Sequence, residues 1–237
     1  MSKQKSVNSG AVTLMIGTLA SRITGFLRQS LLNQLFDKEV TDAFAAARRV
    51  PNLFRELLAE GALSNSFVPI YNSLDKKEAK KLAAALFGLL LIANGILLVL
   101  AYIFTEPITN LLIGVNSNFN KELTMRFIRI VFPFLLSISL SSWVMGILNA
   151  EERFLAPAWA PVALNVVAVA AMLLFPQYSS SLAWGFVLGG VAQFLIQLPV
   201  LIKGRFVAAL STAWHPKLSI VLALLLPSVL PQVAGRY

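Results

Sequence analysis

Long apolar runs broken by short charged stretches set the rhythm of this chain. In the first run, Val12 to Leu35, Thr18, Arg22, Gly25, Gln29 and Asn33 recur at i, i+4, i+7, i+11 and i+15, one continuous face of a helix. Ser21 and Arg28 lie beside that face, and nearly everything else is Leu, Ile, Phe or Ala. Further runs over 82–104, 123–149, 157–175 and 182–202 approach or exceed the ~20 residues that cross a bilayer. A last run, 218–237, is just long enough to cross or is cut short. The stretch 41–73 fits less well, because it holds Asp42, Arg48, Arg49, Arg55, Glu56 and Glu60, with Pro51 and Gly61 as breakers. It reads either as a charged, kinked span shielded by its neighbours or as an interfacial amphipathic helix.

Loop charge favours the span. If 41–73 crosses, Lys3, Lys5, Lys76, Lys77, Lys80, Lys81, Arg153, Lys203, Arg205 and Lys217 share one side, and only Lys38 and Lys121 remain opposite. The expected fold is an all-α polytopic membrane protein of six to seven transmembrane helices, with spans at 9–36, 41–73, 82–104, 123–149, 157–175, 182–202 and 218–237. Residues 1–237 form one unit with a cytoplasmic N-terminus. Gly185 and Gly189 give a weak small-xxx-small packing signal.

Composition agrees with a membrane protein: 57% of residues are hydrophobic and 13% charged, against about 25% charged in soluble domains. Cysteine is absent, which removes disulfides, thiolate metal sites and thiol nucleophiles. The single histidine, His215, cannot build a metal cluster or a triad alone. The net charge of +9 is scattered between apolar runs, so it argues for anionic lipid and against nucleic acid. The run after Lys3 and Lys5 is too long for a signal peptide, and no small-residue cleavage site follows it. No P-loop, HExxH or GxSxG motif is present, so neither enzymatic activity nor a metal or other cofactor is expected.

The arginines carry the sharpest signal. An Arg at the centre of a span costs about 2.5–3.5 kcal/mol even on a lenient insertion scale, so it turns to protein or to a watery cavity. Arg22 and Arg28 are about 9 Å apart along a helix. With Arg55 they could neutralise a diphosphate, since guanidinium forks match phosphate oxygens bidentately. The alternative is that they pair with Asp42, Glu56 or Glu60 and only hold helices together. In the first two spans five arginines (Arg22, Arg28, Arg48, Arg49 and Arg55) face three acids, which favours an anionic ligand.

The segments SRITGFLRQ, TDAF and VPNLFRELLAEGALSNSFVPIY resemble the opening signature of the MurJ/MviN family of lipid II flippases. FPFLLSISLSSWVMGILNAEERF, APVALN and GGVAQFLIQLP continue the likeness along essentially the whole chain. The resemblance implies one lobe of a MOP-type flippase, in which two helix bundles surround a cavity that opens alternately to either side of the bacterial inner membrane. It implies that Arg22, Arg28 and Arg55 hold the lipid-linked diphosphate of lipid II, and that Asp42 and Glu60 gate or orient them. Arg49 and Glu56 join as charge partners. Where the family commonly has an acid after the second arginine, Gln29 stands here, and Glu56 replaces a second basic residue after PNLFR. A second lobe is expected in cis or in trans. The competing readings are a flippase for another polyprenyl-diphosphate saccharide, a drug or cation antiporter of the same superfamily (disfavoured by the excess of arginine), and a truncated, non-transporting membrane fragment.

Overall fold

The computed structural model describes residues 2–57, 63–114, 119–207 and 214–224, with side chains described outside 2–11, 56–57 and 63–64. Eleven helices follow one another with no strand among the described residues: α1 (Ser2–Leu35), α2 (Lys38–Ala47), α3 (Arg49–Leu57), α4 (Leu63–Ser73), α5 (Lys76–Ile103), α6 (Thr105–Ile113), α7 (Lys121–Val131), α8 (Phe134–Ala150), α9 (Leu155–Leu174), α10 (Ser180–Leu195) and α11 (Leu198–Gly204). Residues 218–224 are helical as well. Among the described residues four stretches are long and apolar enough to cross a membrane: Lys76–Ile103, Lys121–Ala150, Leu155–Leu174 and Ser180–Gly204. At 34 residues α1 is about 51 Å long. Its arginines lower its apolarity, not its reach.

Local chemistry explains where helices start and break. Asp75 Oδ1 caps α5, accepting from the backbone N–H groups of Lys77 and Glu78 at 2.9 Å each. Asn120 Oδ1 caps α7, accepting from Leu123 N–H at 2.8 Å. Pro133 separates α7 from α8, because it has no N–H to continue the ladder. Among the described residues the charged stretch after α1 forms α2, α3 and α4, with a break at Arg48, and its contacts run from one end of the bundle to the other. Asn120 Nδ2 donates to Glu39 Oε1 at 2.7 Å and Arg49 Nη1 to the Leu112 carbonyl at 2.7 Å. At the opposite end, Phe67 packs on Gly146, and the Tyr71 hydroxyl donates to Glu151 Oε1 at 2.9 Å.

These contacts order the bundle. The segments 36–38, 104–114, 119–120 and 175–179 lie at one end, and 74–76, 151–154, 205–207 and 214–217 lie at the other. The second end collects Lys76, Lys77, Lys80, Lys81, Arg153, Lys203, Arg205 and Lys217 and is the basic end. α9 is the hub, running beside α10 on one side and α1 on the other. Those contacts need small residues. A Cβ on Gly17 would sit 2.5 Å from the Ala158 carbonyl oxygen, and one on Gly189 would sit 2.6 Å from that of Leu164. Two apolar clusters result. One gathers Phe44, Phe127, Phe134, Ile138 and Phe186 in the middle and toward the far end; the other gathers Phe67, Leu82, Trp143, Ile147 and Val221 toward the basic end.

Candidate anion-binding cavity

A cavity of about 480 Å³ runs from the basic end toward mid-bundle between α1, α3, α8, α9 and α10. α1 supplies one wall through Leu14, Gly17, Thr18, Ser21, Arg22, Gly25 and Arg28, which recur every three or four residues and so share a face. Gln29 and Asn33 prolong that face in sequence but do not line the cavity. Beyond Arg28 the face meets the α2–α3 break in place of open space. There Gln29 Nε2 donates to Asn33 Oδ1 at 3.2 Å, and Gln29 Oε1 accepts from Arg48 at 3.4 Å.

Arg55 enters from α3, so three arginines from two helices border one space. Arg22 is exposed, whereas Arg28 and Arg55 are half-buried. Among the described residues no carboxylate lies within 4.0 Å of Arg22 or Arg28. Arg28, Arg48 and Arg55 are close enough to repel one another.

Amides complete the wall: Asn52, Asn149, Asn165 and Gln193. Asn165 Nδ2 donates to the Ser21 carbonyl and to Thr24 Oγ1, both at 3.1 Å, and thereby ties α9 to α1. Asn149 Oδ1 is buried with no hydrogen-bond partner among the described residues. Such a group costs about 1–3 kcal/mol unless a ligand or water meets it. Asn52, Asn149 and Gln193 carried no role in the sequence reading. The one signal for them is an isolated amide in an apolar run. At its inner end the cavity stops against Phe186, whose ring packs on Phe134 at 4.2 Å and edge-on against Phe44 at 6.0 Å.

The other expected site residues lie elsewhere. Asp42 faces Lys38, with Nζ 2.6 Å from Oδ2, so among the described residues its ion-pair partner is that lysine and not an arginine. The two are four residues apart on α2 and meet without leaving their helix. Arg49 reaches α6 and not the cavity. The Glu56 side chain and Glu60 lie outside the described residues. Among the described residues no group of three His, Asp or Glu side chains could hold a metal ion.

Helices of membrane length folded around a polar, cationic cavity define an all-α membrane protein with a candidate anion-binding site. An outward-facing multidrug-resistance MATE transporter of the MOP superfamily shares this fold, with a TM-score of 0.77 at 18% identity over 97% of this chain and 53% of that one. A solved lipid II flippase MurJ in an inward closed conformation superposes with a TM-score of 0.80 at 26% identity, covering 95% of this chain and 48% of that chain. The family model for the lipid II flippase MurJ matches residues 32–234. The probable lipid II flippase MurJ of Bdellovibrio bacteriovorus is 36% identical over 240 residues, 96% of this chain and 46% of its own length. The chain therefore belongs to the MurJ lipid II flippase family. It spans about half the length of the curated relatives it matches.

Proposed function

We propose that this chain is the N-terminal lobe of a flippase that carries lipid II, the lipid-linked peptidoglycan precursor, across the bacterial inner membrane, and that its cavity binds the diphosphate. Arg22, Arg28 and Arg55 supply the donors. The amides of Asn52, Asn149 and Gln193 supply neutral hydrogen-bond partners for the rest of the headgroup, and the polyprenyl tail stays in lipid. The positive-inside rule puts the basic end, and with it the mouth of the cavity, in the cytoplasm. Asp42 and Arg49 act at the far end, holding α2 and the start of α3 in place. A second lobe, in cis or in trans, closes the cavity, and rocking of the two lobes passes the headgroup across without covalent chemistry.

The observation that carries this reading is the convergence of three arginines on one amide-lined cavity, with no carboxylate within 4.0 Å of Arg22 or Arg28 among the described residues. A half-buried cation such as Arg28 is stabilised by an anion, and charge-assisted bonds to phosphate are about twice as strong as neutral ones. The test is complementation of a flippase-depleted bacterium by the full-length protein. Arg28→Ala, expressed normally in the membrane, should fail to restore growth. Full rescue by that variant would overturn the site.

A further inference from the structure

Arg48, like Arg49, lies outside the cavity lining. It caps the C-terminus of α2 with φ −85° and ψ −2°, at the break before α3. Its carbonyl accepts the backbone N–H of Asn52 at 2.8 Å, and Asn52 is a cavity residue. Arg48 is thus anchored one helical turn, about 5–6 Å, beyond the cavity wall.

Its surroundings do not neutralise it. Gln29 Oε1 accepts from Nη2 at 3.4 Å, a long bond to a neutral group, and the guanidinium lies over the Phe44 ring at 5.4 Å from the centroid. No carboxylate is within 4.0 Å of it among the described residues. Arg28 and Arg55 add like charge. A ring face and an amide oxygen offset part of that repulsion, and an anion would offset more.

Phe44 touches both Arg48 and the residue that ends the cavity. Its ring stands edge-on to Phe186, which lines the cavity. Arg28 borders both that cavity and a void of about 10 Å³ walled in part by Phe44 and Phe186. The edge-on contact adds about 0.5–1.5 kcal/mol to the burial that holds both rings, so parting them also gives up apolar burial that a bound anion has to offset.

We propose that Arg48 is a further anion-binding residue, which takes hold of a diphosphate already on Arg28 and Arg55 when Phe44 and Phe186 part. The inference rests on the reading of the cavity as a diphosphate site and extends it one step deeper into the bundle. If Arg48 served only to cap α2 and cover Phe44, its charge would bear on folding and not on the ligand.

The chain contains no cysteine, so Arg48→Cys gives a single reporter. The probe is farnesyl diphosphate, with farnesol as the uncharged control, added to the purified chain in phosphatidylcholine nanodiscs. Farnesyl diphosphate should slow modification of Arg48→Cys by a sulfonated methanethiosulfonate at least about fivefold, and farnesol should not. Arg48→Gln should weaken farnesyl diphosphate binding about tenfold, the scale of one charge-assisted hydrogen bond. Arg48→Lys should restore most of it. A folded Arg48→Gln chain, with unchanged thermal unfolding and unchanged binding, would overturn the proposal. If Arg28→Gln loses the ligand while Arg48→Gln keeps it, only the role of Arg48 falls. If the unsubstituted chain binds no farnesyl diphosphate, the diphosphate cavity falls with it.

Discussion

Arg28 and Arg22 lie six residues apart on one helix and border one cavity, yet their surroundings differ. Arg28 is half-buried and also borders the small void beyond Phe186, whereas Arg22 is exposed. Water and salt screen an exposed charge far more than a buried one. Arg28→Gln should therefore weaken binding of a lipid diphosphate more than about tenfold, and Arg22→Gln only about two- to fivefold, in a titration of the purified protein. Equal losses would contradict the burial difference. Asn165 has a positioning role: replacing it with Leu removes two hydrogen bonds to α1 and should destabilise the fold by about 1–3 kcal/mol in thermal unfolding. The arginines were legible in the sequence because charge inside an apolar run has few explanations. The amides were not, since Asn149 and Gln193 reveal their orientation only once α8 and α10 are packed. Asp42, which the family resemblance makes a gating or charge partner, meets Lys38 four residues earlier on its own helix.

Among the helices, the contact of α9 with α1 and α10 holds the cavity wall in register. Gly189→Ala would push a methyl against the Leu164 carbonyl and should cost about 1–3 kcal/mol. Gly95 meets nothing within 4 Å, so Gly95→Ala on the lipid-facing side of α5 should be neutral or slightly stabilising. Thermal unfolding of the two variants checks the contrast, and similar shifts would count against the α9–α10 packing. The cap of α5 adds a pH dependence. Backbone N–H groups of Glu78 and Lys77 hold the Asp75 carboxyl below its ordinary 3.8. Its contribution is therefore present above that value and lost as the pH falls through the lowered one. Asp75→Ala should flatten the acid side of the stability profile, and an unchanged profile would contradict the cap. α6 was not read from the sequence, because Glu106 and Pro107 looked like a stop. Proline is tolerated in the first turn of a helix, where its missing N–H is not needed, and Pro107 is the third residue of α6. The break at Arg48 was equally hidden, since local pattern does not register which neighbours shield a charged segment.

Across the whole molecule, basic residues crowd one end of the bundle and the cavity extends toward that end. If that end is cytoplasmic, a single cysteine at Lys77 should resist an impermeant thiol reagent applied outside intact cells, while one at Lys121 should react. The reverse pattern would invert the orientation. Alternation of apolar runs with charge was enough to read an all-α membrane protein, because hydropathy acts on whole segments. The shape and depth of the cavity were beyond that reach, since they depend on the close approach of Gly17 to Ala158 and on where Phe186 closes the space. The central claim is that the guanidinium groups bordering the cavity hold a lipid diphosphate. Its most direct test is native mass spectrometry of the purified protein with lipid II, comparing the unsubstituted chain with the Arg22→Gln, Arg28→Gln, Arg55→Gln triple variant. Lipid II should remain bound to the first and be absent from the second, while ordinary phospholipid adducts are equal on both. Equal retention of lipid II by a folded triple variant would contradict the account.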